Sequence, residues 1–293
     1  MTDLDTILAE EAAKKDREDW LRSRDAGFGA SDIPVLFLIH GWVAADDLDE
    51  YRQVGGEKLY RIPRYILHAA EKLETVLVER PNRKPSQSAR MRVKSGFPRL
   101  IEAKLGNVSA GQSSDAMKEG QLKERMLYES SRLGRWDSNG VYFPEEPKLP
   151  EEWLPRVVSE RPWVLRDAVE PRLMATLEAA DADPKGLVGV ELKTDRLGER
   201  EKQGWHWHWR IQSQAHATVL GADAWTLIYG KGWAMTDSPA FPVLPDPVEL
   251  GPFVLKDSDR SLIRQAVRQG WEMVEACRAL HDSQGNEAKE TQR

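Results

Sequence analysis

Residues 185–194 read KGLVGVELKT, and Glu191 and Lys193 are the side chains in that stretch able to do chemistry. On a strand successive side chains alternate, so these two leave one face while Val188, Val190 and Leu192 take the other. A face carrying Glu-x-Lys either borders water or lines a site. For a site, the chemistry that suits these groups is phosphodiester hydrolysis. That reaction needs a divalent cation to polarise the phosphoryl group and to make hydroxide from water near neutral pH. A hard cation such as magnesium needs several carboxylate or carbonyl oxygens in one small volume. A lysine beside it orients the water and offsets the charge that develops in the transition state. Glu191 then needs an acidic partner on a neighbouring strand. Glu178, at the end of LMATLE, stands a hairpin's length earlier, and Asp181 and Asp183 in the intervening AADADPKG are its rivals. Taken alone, Glu-x-Lys is routine on surface strands and carries little weight.

Distant segments add to it. Arg24 and Ser31 flank the glycine-rich turn in RDAGFGAS, and Gly120 and Glu124 lie four apart in GQLKE, on one face of a helix. Gln212 and Gln214 follow in RIQSQAH; being two apart on a helix, they cannot both enter one site. Residues 80–94 hold Arg80, Arg83, Lys84, Arg90, Arg92 and Lys94 with no acid among them. By itself such a run is a solvated loop. WHWHW at 205–209 suggests a stacking platform or, if extended with His206 and His208 on one face, a metal site; on a helix alternate residues diverge, so packing is the expected role of its tryptophans.

These residues must be positioned by a mixed set of elements. Residues 1–20 read as an amphipathic N-terminal arm, with Leu4, Ile7, Leu8 and Ala12 at helical spacing. The stretch 58–79 reads as a broken, then continuous helix followed by the basic loop, and 113–134 as a helix capped by Ser114 or Asp115 and ended by Gly134. The proline-rich passage 144–171 reads as irregular or edge structure. Strands are expected at 163–169, 173–179, 186–194 and 224–233, with a helix in the second half of 198–221. The last helix, 257–282, carries the core stripe Leu262, Ile263, Ala266, Val267, Trp271, Val274 and Cys277; the polar tail 283–293 is expected to be disordered. The fold class is therefore α/β or α+β about a central sheet, with the core spanning 21–256.

Composition narrows the functions. One cysteine, Cys277, excludes an intrachain disulfide and a cysteine-built zinc or iron–sulfur site, and the six histidines form no helical metal spacing, so any metal is a hard cation held by carboxylates. No apolar run is long enough to span a membrane, and the acidic start lacks the pattern of a secretory leader, so a cytoplasmic protein is expected. The net charge of −6 argues against a nucleic-acid partner only on average, because binding depends on the local field.

In RDAGFGASD, EGQLKERMLYESSRLG, PWVLRDAVEPRLMATLE, GVELKT and IQSQAHATVLG, taken in that order, the chain resembles the phage lambda-type exonucleases, or YqaJ-like viral recombinases, of the PD-(D/E)xK nuclease superfamily. The resemblance covers roughly residues 20–232. It implies a restriction-endonuclease-like core, a central mixed sheet flanked by helices, and magnesium-dependent (or manganese-dependent) 5′-to-3′ digestion of duplex DNA. It also implies metal-binding acids at Glu178 and Glu191, a further acid at Glu124, a backbone carbonyl ligand from Leu192, and the catalytic lysine at Lys193. Arg24, Ser31 and Thr176 fall where the family holds the 5′-phosphate. Gln212 falls on its active-site glutamine, and Gln214 on the same motif. With DNA as substrate, Arg83, Lys84, Arg90 and Arg92 read as phosphate contacts. Two stretches, near 40–110 and 135–162, look inserted. The family has aspartate where this chain has Glu178, and proline where it has Leu177. The resemblance further implies a ring-shaped homo-oligomer, commonly a trimer, a single-strand annealing partner, and a phage or prophage origin in a bacterial host. Two other readings follow from the same residues: a DNA-end-binding protein that has lost hydrolysis, with the change at Glu178 in its favour, and an endonuclease using the same chemistry.

Overall fold

The computed structural model describes residues 25–43, 58–74, 88–93, 96–107, 151–160, 163–176, 179–183, 186–196, 206–233 and 246–290. Its strands are β1 (Phe28–Gly29), β2 (Lys58–Pro63), β3 (Ser88–Val93), β4 (Val157–Glu160), β5 (Trp163–Arg166), β6 (Leu173–Thr176), β7 (Ala179–Asp183), β8 (Gly186–Arg196), β9 (Ala224–Trp233) and β10 (Asp246–Val254). Its α-helices are α1 (Ile33–His40), α2 (Arg64–Lys72), α3 (Phe97–Lys104), α4 (His206–Leu220) and α5 (Asp257–Glu290). Short 3-10 turns occupy Ala30–Asp32 and Glu151–Arg156.

The chain is a mixed α+β fold. Among the described residues two mixed sheets of four strands form, in the orders β1-β6-β5-β4 and β10-β9-β8-β7, together with a ribbon of β2 and β3. The expected single central sheet is thus divided. Helix α4 packs on β5 and β6 of one sheet and on β8 and β9 of the other. It is also the crossover between the parallel strands β8 and β9, which need a long connection where antiparallel strands need only a turn. Arg156 donates to the Val219 carbonyl in its last turn at 2.6 Å, and Arg260 to the Ala222 carbonyl just beyond its end at 2.5 Å.

Helix α5 closes the other side of the core. Its stripe buries Ile263, Ala266, Val267, Met273, Val274 and Cys277 against α1, α2, α3 and α4. Leu262 and Trp271, expected on the same stripe, are only partly buried. The helix continues to Glu290, where the sequence suggested an end at 282 and a disordered tail. Asp257 and Asp259 in its first turn suit the positive end of the helix dipole.

Several strands lie where none was expected. Residues 58–63 are a strand, not a helix, and pair in antiparallel register with Ser88–Val93, so the second half of the basic run is a strand rather than a loop. Only Arg61 between Tyr60 and Ile62 hints at a period of two, because Leu59 is apolar as well, and the strand is set by its pairing. β10 runs through the second proline cluster; as the outermost strand of its sheet it tolerates Pro247 and Pro252, and its register shifts between Leu250 and Phe253. AADAD, read as a loop, pairs with β8 because tertiary pairing overrides the low strand propensity of alanine and aspartate. In the first proline passage, β4 is the outer strand of its sheet, as edge structure was expected to be.

Candidate functional site

Glu191 lies buried on β8, and Lys193 beside it is partly exposed. Leu187, Gly189, Glu191 and Lys193 alternate onto the face of β8 that α4 covers. Gly189 permits the close approach: a Cβ there would stand 3.0 Å from both Cα and Cβ of Ala217. The other face takes Val188, Val190 and Leu192, which are buried too, so both sides of β8 are covered. Glu191 is 2% exposed, and a carboxylate at that depth must find donors.

It finds them on β8 itself and on α4. Lys193 donates from Nζ to Oε1 of Glu191, and also to the Leu192 carbonyl at 3.0 Å. Gln212 donates from Nε2 to the same Oε1 at 2.6 Å. One helical turn on, Nδ1 of His216 lies 3.5 Å from Oε2, with its ring 1% exposed. Gln212 and His216 are i and i+4, so they share the face of α4 that meets the strand. The Lys193 side chain keeps 14% exposure, so the cluster stays in touch with its surface through the lysine.

The other sequence-derived residues fall into three groups. Ser31 lies exposed in the 3-10 turn Ala30–Asp32, and Thr176 ends β6 half-buried; the turn and β6 both pack on α4. The topology therefore gathers Ser31, Thr176, Glu191, Lys193 and Gln212 on elements around one helix. Gln214, two residues from Gln212, is partly buried, and its carbonyl accepts from the Thr218 hydroxyl within the helix at 2.7 Å. Arg90 and Arg92 lie on β3, with backbone registers opposite Arg61 and Leu59. Asp181 and Asp183 lie on β7, opposite Val188 and Gly186. Arg24, Arg83, Lys84, Glu124 and Glu178, with the N-terminal arm and the expected helix 113–134, lie outside the described residues. Ala179 pairs with Val190, so the described part of the hairpin begins one register step from Glu191.

Glu191 and the Leu192 carbonyl are hard oxygen donors of the kind magnesium takes, and they sit on consecutive residues. Among the described residues no three of His, Cys, Asp and Glu come together as a metal-ligand set. Trp207 and Trp209 are each 1% exposed, so the WHWHW stretch serves packing there and not base stacking.

The turn beneath the N-terminal segment is fixed by charge. Asp167, 1% exposed, takes Arg264 of α5 through Nε and Nη2 at 3.0 and 2.9 Å and accepts the backbone N–H of Val169 at 2.8 Å. Glu170, also buried, takes Arg172 at 2.7 Å and Arg268 at 3.7 Å. The Glu170 carboxylate holds the Arg172 guanidinium above its ordinary pKa. Phe28 donates to the Arg172 carbonyl at 2.6 Å, and only glycine fits at position 27, where a Cβ would lie 2.1 Å from that oxygen. Gly27 thus seats the segment bearing Ser31 against the start of β6.

His216 is the member of the cluster that sequence reasoning did not single out. Its signal was present in IQSQAH as the residue one turn after Gln212, but nothing in the sequence says which turn of a helix lies over a strand. No described helix is long and apolar enough to cross a membrane. Comparison with protein-family models, with curated proteins and with solved structures finds no match to the chain.

Proposed function

We propose that the protein is a magnesium-dependent nuclease that digests duplex DNA from its ends, 5′ to 3′, through a PD-(D/E)xK-type site. The observation that carries this reading is a buried Glu-x-Lys pair on a strand, with the Glu191 carboxylate engaged by Lys193 and Gln212. A buried charge cluster is costly to a fold, and ionisable groups held in this way are a recurrent feature of active sites.

In this reading Glu191 and the Leu192 carbonyl, with Glu178 and Glu124, hold the cation. Magnesium bound there supplies polarisation of the scissile phosphoryl group and a water of lowered pKa. Lys193 orients the attacking water and stabilises charge on the phosphoryl oxygens. Gln212 holds Glu191 by donating to Oε1. Arg24, Ser31 and Thr176 receive the 5′-phosphate, and Arg83, Lys84, Arg90 and Arg92 contact the duplex backbone. Single strands made in this way would feed recombination through an annealing partner, with the enzyme working as a homo-oligomer in the cytoplasm of a bacterial host.

Lys193→Ala tests the reading. It removes the ammonium while leaving the proposed phosphate contacts in place, so cleavage of linear duplex should fall by about a hundredfold or more, as when other transition-state donors are removed. Binding to DNA ends should stay within about threefold of wild type. Unchanged cleavage would remove the proposed role of the Glu-x-Lys pair. Binding by the wild type without magnesium-dependent cleavage would favour the end-binding reading.

A further inference from the structure

Glu191 has a polar neighbour at each of its oxygens, and the one beside the second, at ion-pair rather than hydrogen-bond distance, is a residue that the functional reading does not use. Oε1 takes Lys193 and Gln212, whereas Oε2 faces Nδ1 of His216 at 3.5 Å. Resting on the reading above, we propose that His216 is a positioning residue: it fixes the rotation of the Glu191 carboxylate about its terminal torsion, and so fixes where that group can receive a cation.

The torsion between a glutamate's last methylene and its carboxylate is broad, so donors on Oε1 alone fix it less well than neighbours at both oxygens. Gln212 and His216, one turn apart on α4, reach the two oxygens separately. With the rotation set from a rigid helix, the group is pre-organised and not left to be ordered on binding. The helix is itself held down at the next residue, where Ala217 meets Gly189. His216 is 1% exposed, so it acts through Glu191 and not by touching a solvent-borne substrate. Groups that orient a metal ligand in this way typically change metal affinity by about 10–100-fold when removed.

The test uses the full chain and manganese alone as the probe. His216→Ala removes the ring. His216→Asn keeps an amide N–H near the position of Nδ1. Calorimetric titration should show Mn2+ binding weakened about tenfold or more by His216→Ala and restored to within about threefold by His216→Asn. The side-chain amide resonance of Gln212 should move in the Ala variant and return in the Asn variant. Thermal melts of both variants check that the fold is retained. Equal Mn2+ affinity in wild type and His216→Ala, or an Asn variant no better than Ala, would overturn the proposal. If the wild type binds no Mn2+ while the Gln212 resonance still responds and recovers, the metal reading falls and the positioning of Glu191 stands. If neither responds, both fall.

Discussion

Replacing Lys193 by Met should cost more stability than replacing the whole Glu191–Lys193 pair. The Glu191 side chain is 2% exposed and that of Lys193 is 14% exposed, so the ion pair is largely desolvated. Breaking a buried pair by removing one partner costs about 3–5 kcal/mol, since the remaining charge is uncompensated. Here Gln212 still donates to Oε1, and a hydrogen bond to a charged group retains about 1.5–3 kcal/mol. The expected loss in Lys193→Met is therefore about 1.5–2 kcal/mol, a sizeable part of the roughly 5–15 kcal/mol that holds a typical domain together. The double variant Glu191→Gln with Lys193→Met removes both charges and should lie near or above wild type, since uncharged replacements of buried pairs are often neutral or stabilising. Urea unfolding followed by tryptophan fluorescence and circular dichroism, arranged as a double-mutant cycle, reads these values directly. A Lys193→Met loss under about 0.5 kcal/mol, or a double variant as unstable as the sum of the singles, would refute the buried-pair argument.

Other perturbations probe the scaffold. Gly189→Ala places a Cβ 3.0 Å from Ala217, so α4 must give by a few tenths of an ångström; we expect about 1–3 kcal/mol of destabilisation and a larger proportional fall in cleavage than in folded fraction, measured by melting and by DNA digestion. Arg264→Ala leaves Asp167 buried with its backbone donors alone and should cost about 3–5 kcal/mol in urea unfolding, most of it recovered when Asp167→Asn is added. Glu102 has its pKa raised by burial, against opposing contributions from Asn107 and His281. The folded state therefore keeps this proton longer than the unfolded chain, and stability falls as pH rises from the unfolded toward the folded pKa. Glu102→Gln should flatten that part of the stability–pH profile, and a profile identical to wild type would contradict the assignment.

The fold was legible where a local period repeats and hidden where pairing is distant. The stripe of α5 and the strand Ala224–Trp233 follow from spacing alone. β10 does not, because prolines argue against a strand unless its place at the sheet edge is known. β7 does not either, because Ala179–Asp183 becomes a strand only through its partner β8. The site divides in the same way. Glu191, Lys193 and Gln212 were found by residue type and order, whereas the depth of Glu191 was not, since Glu-x-Lys alternates identically beside water and beneath a helix. His216 was missed because its place over the strand depends on Gly189 admitting α4.

The most direct measurement compares linear duplex DNA bearing 5′-phosphate or 5′-hydroxyl ends with a covalently closed circle of the same sequence, each with magnesium and with EDTA. The 5′-phosphorylated strand should be lost faster, the circle should stay intact, and EDTA should prevent any loss. Cutting of the circle would replace the end-dependent enzyme with an endonuclease, and digestion of no substrate in magnesium would contradict the nuclease reading altogether.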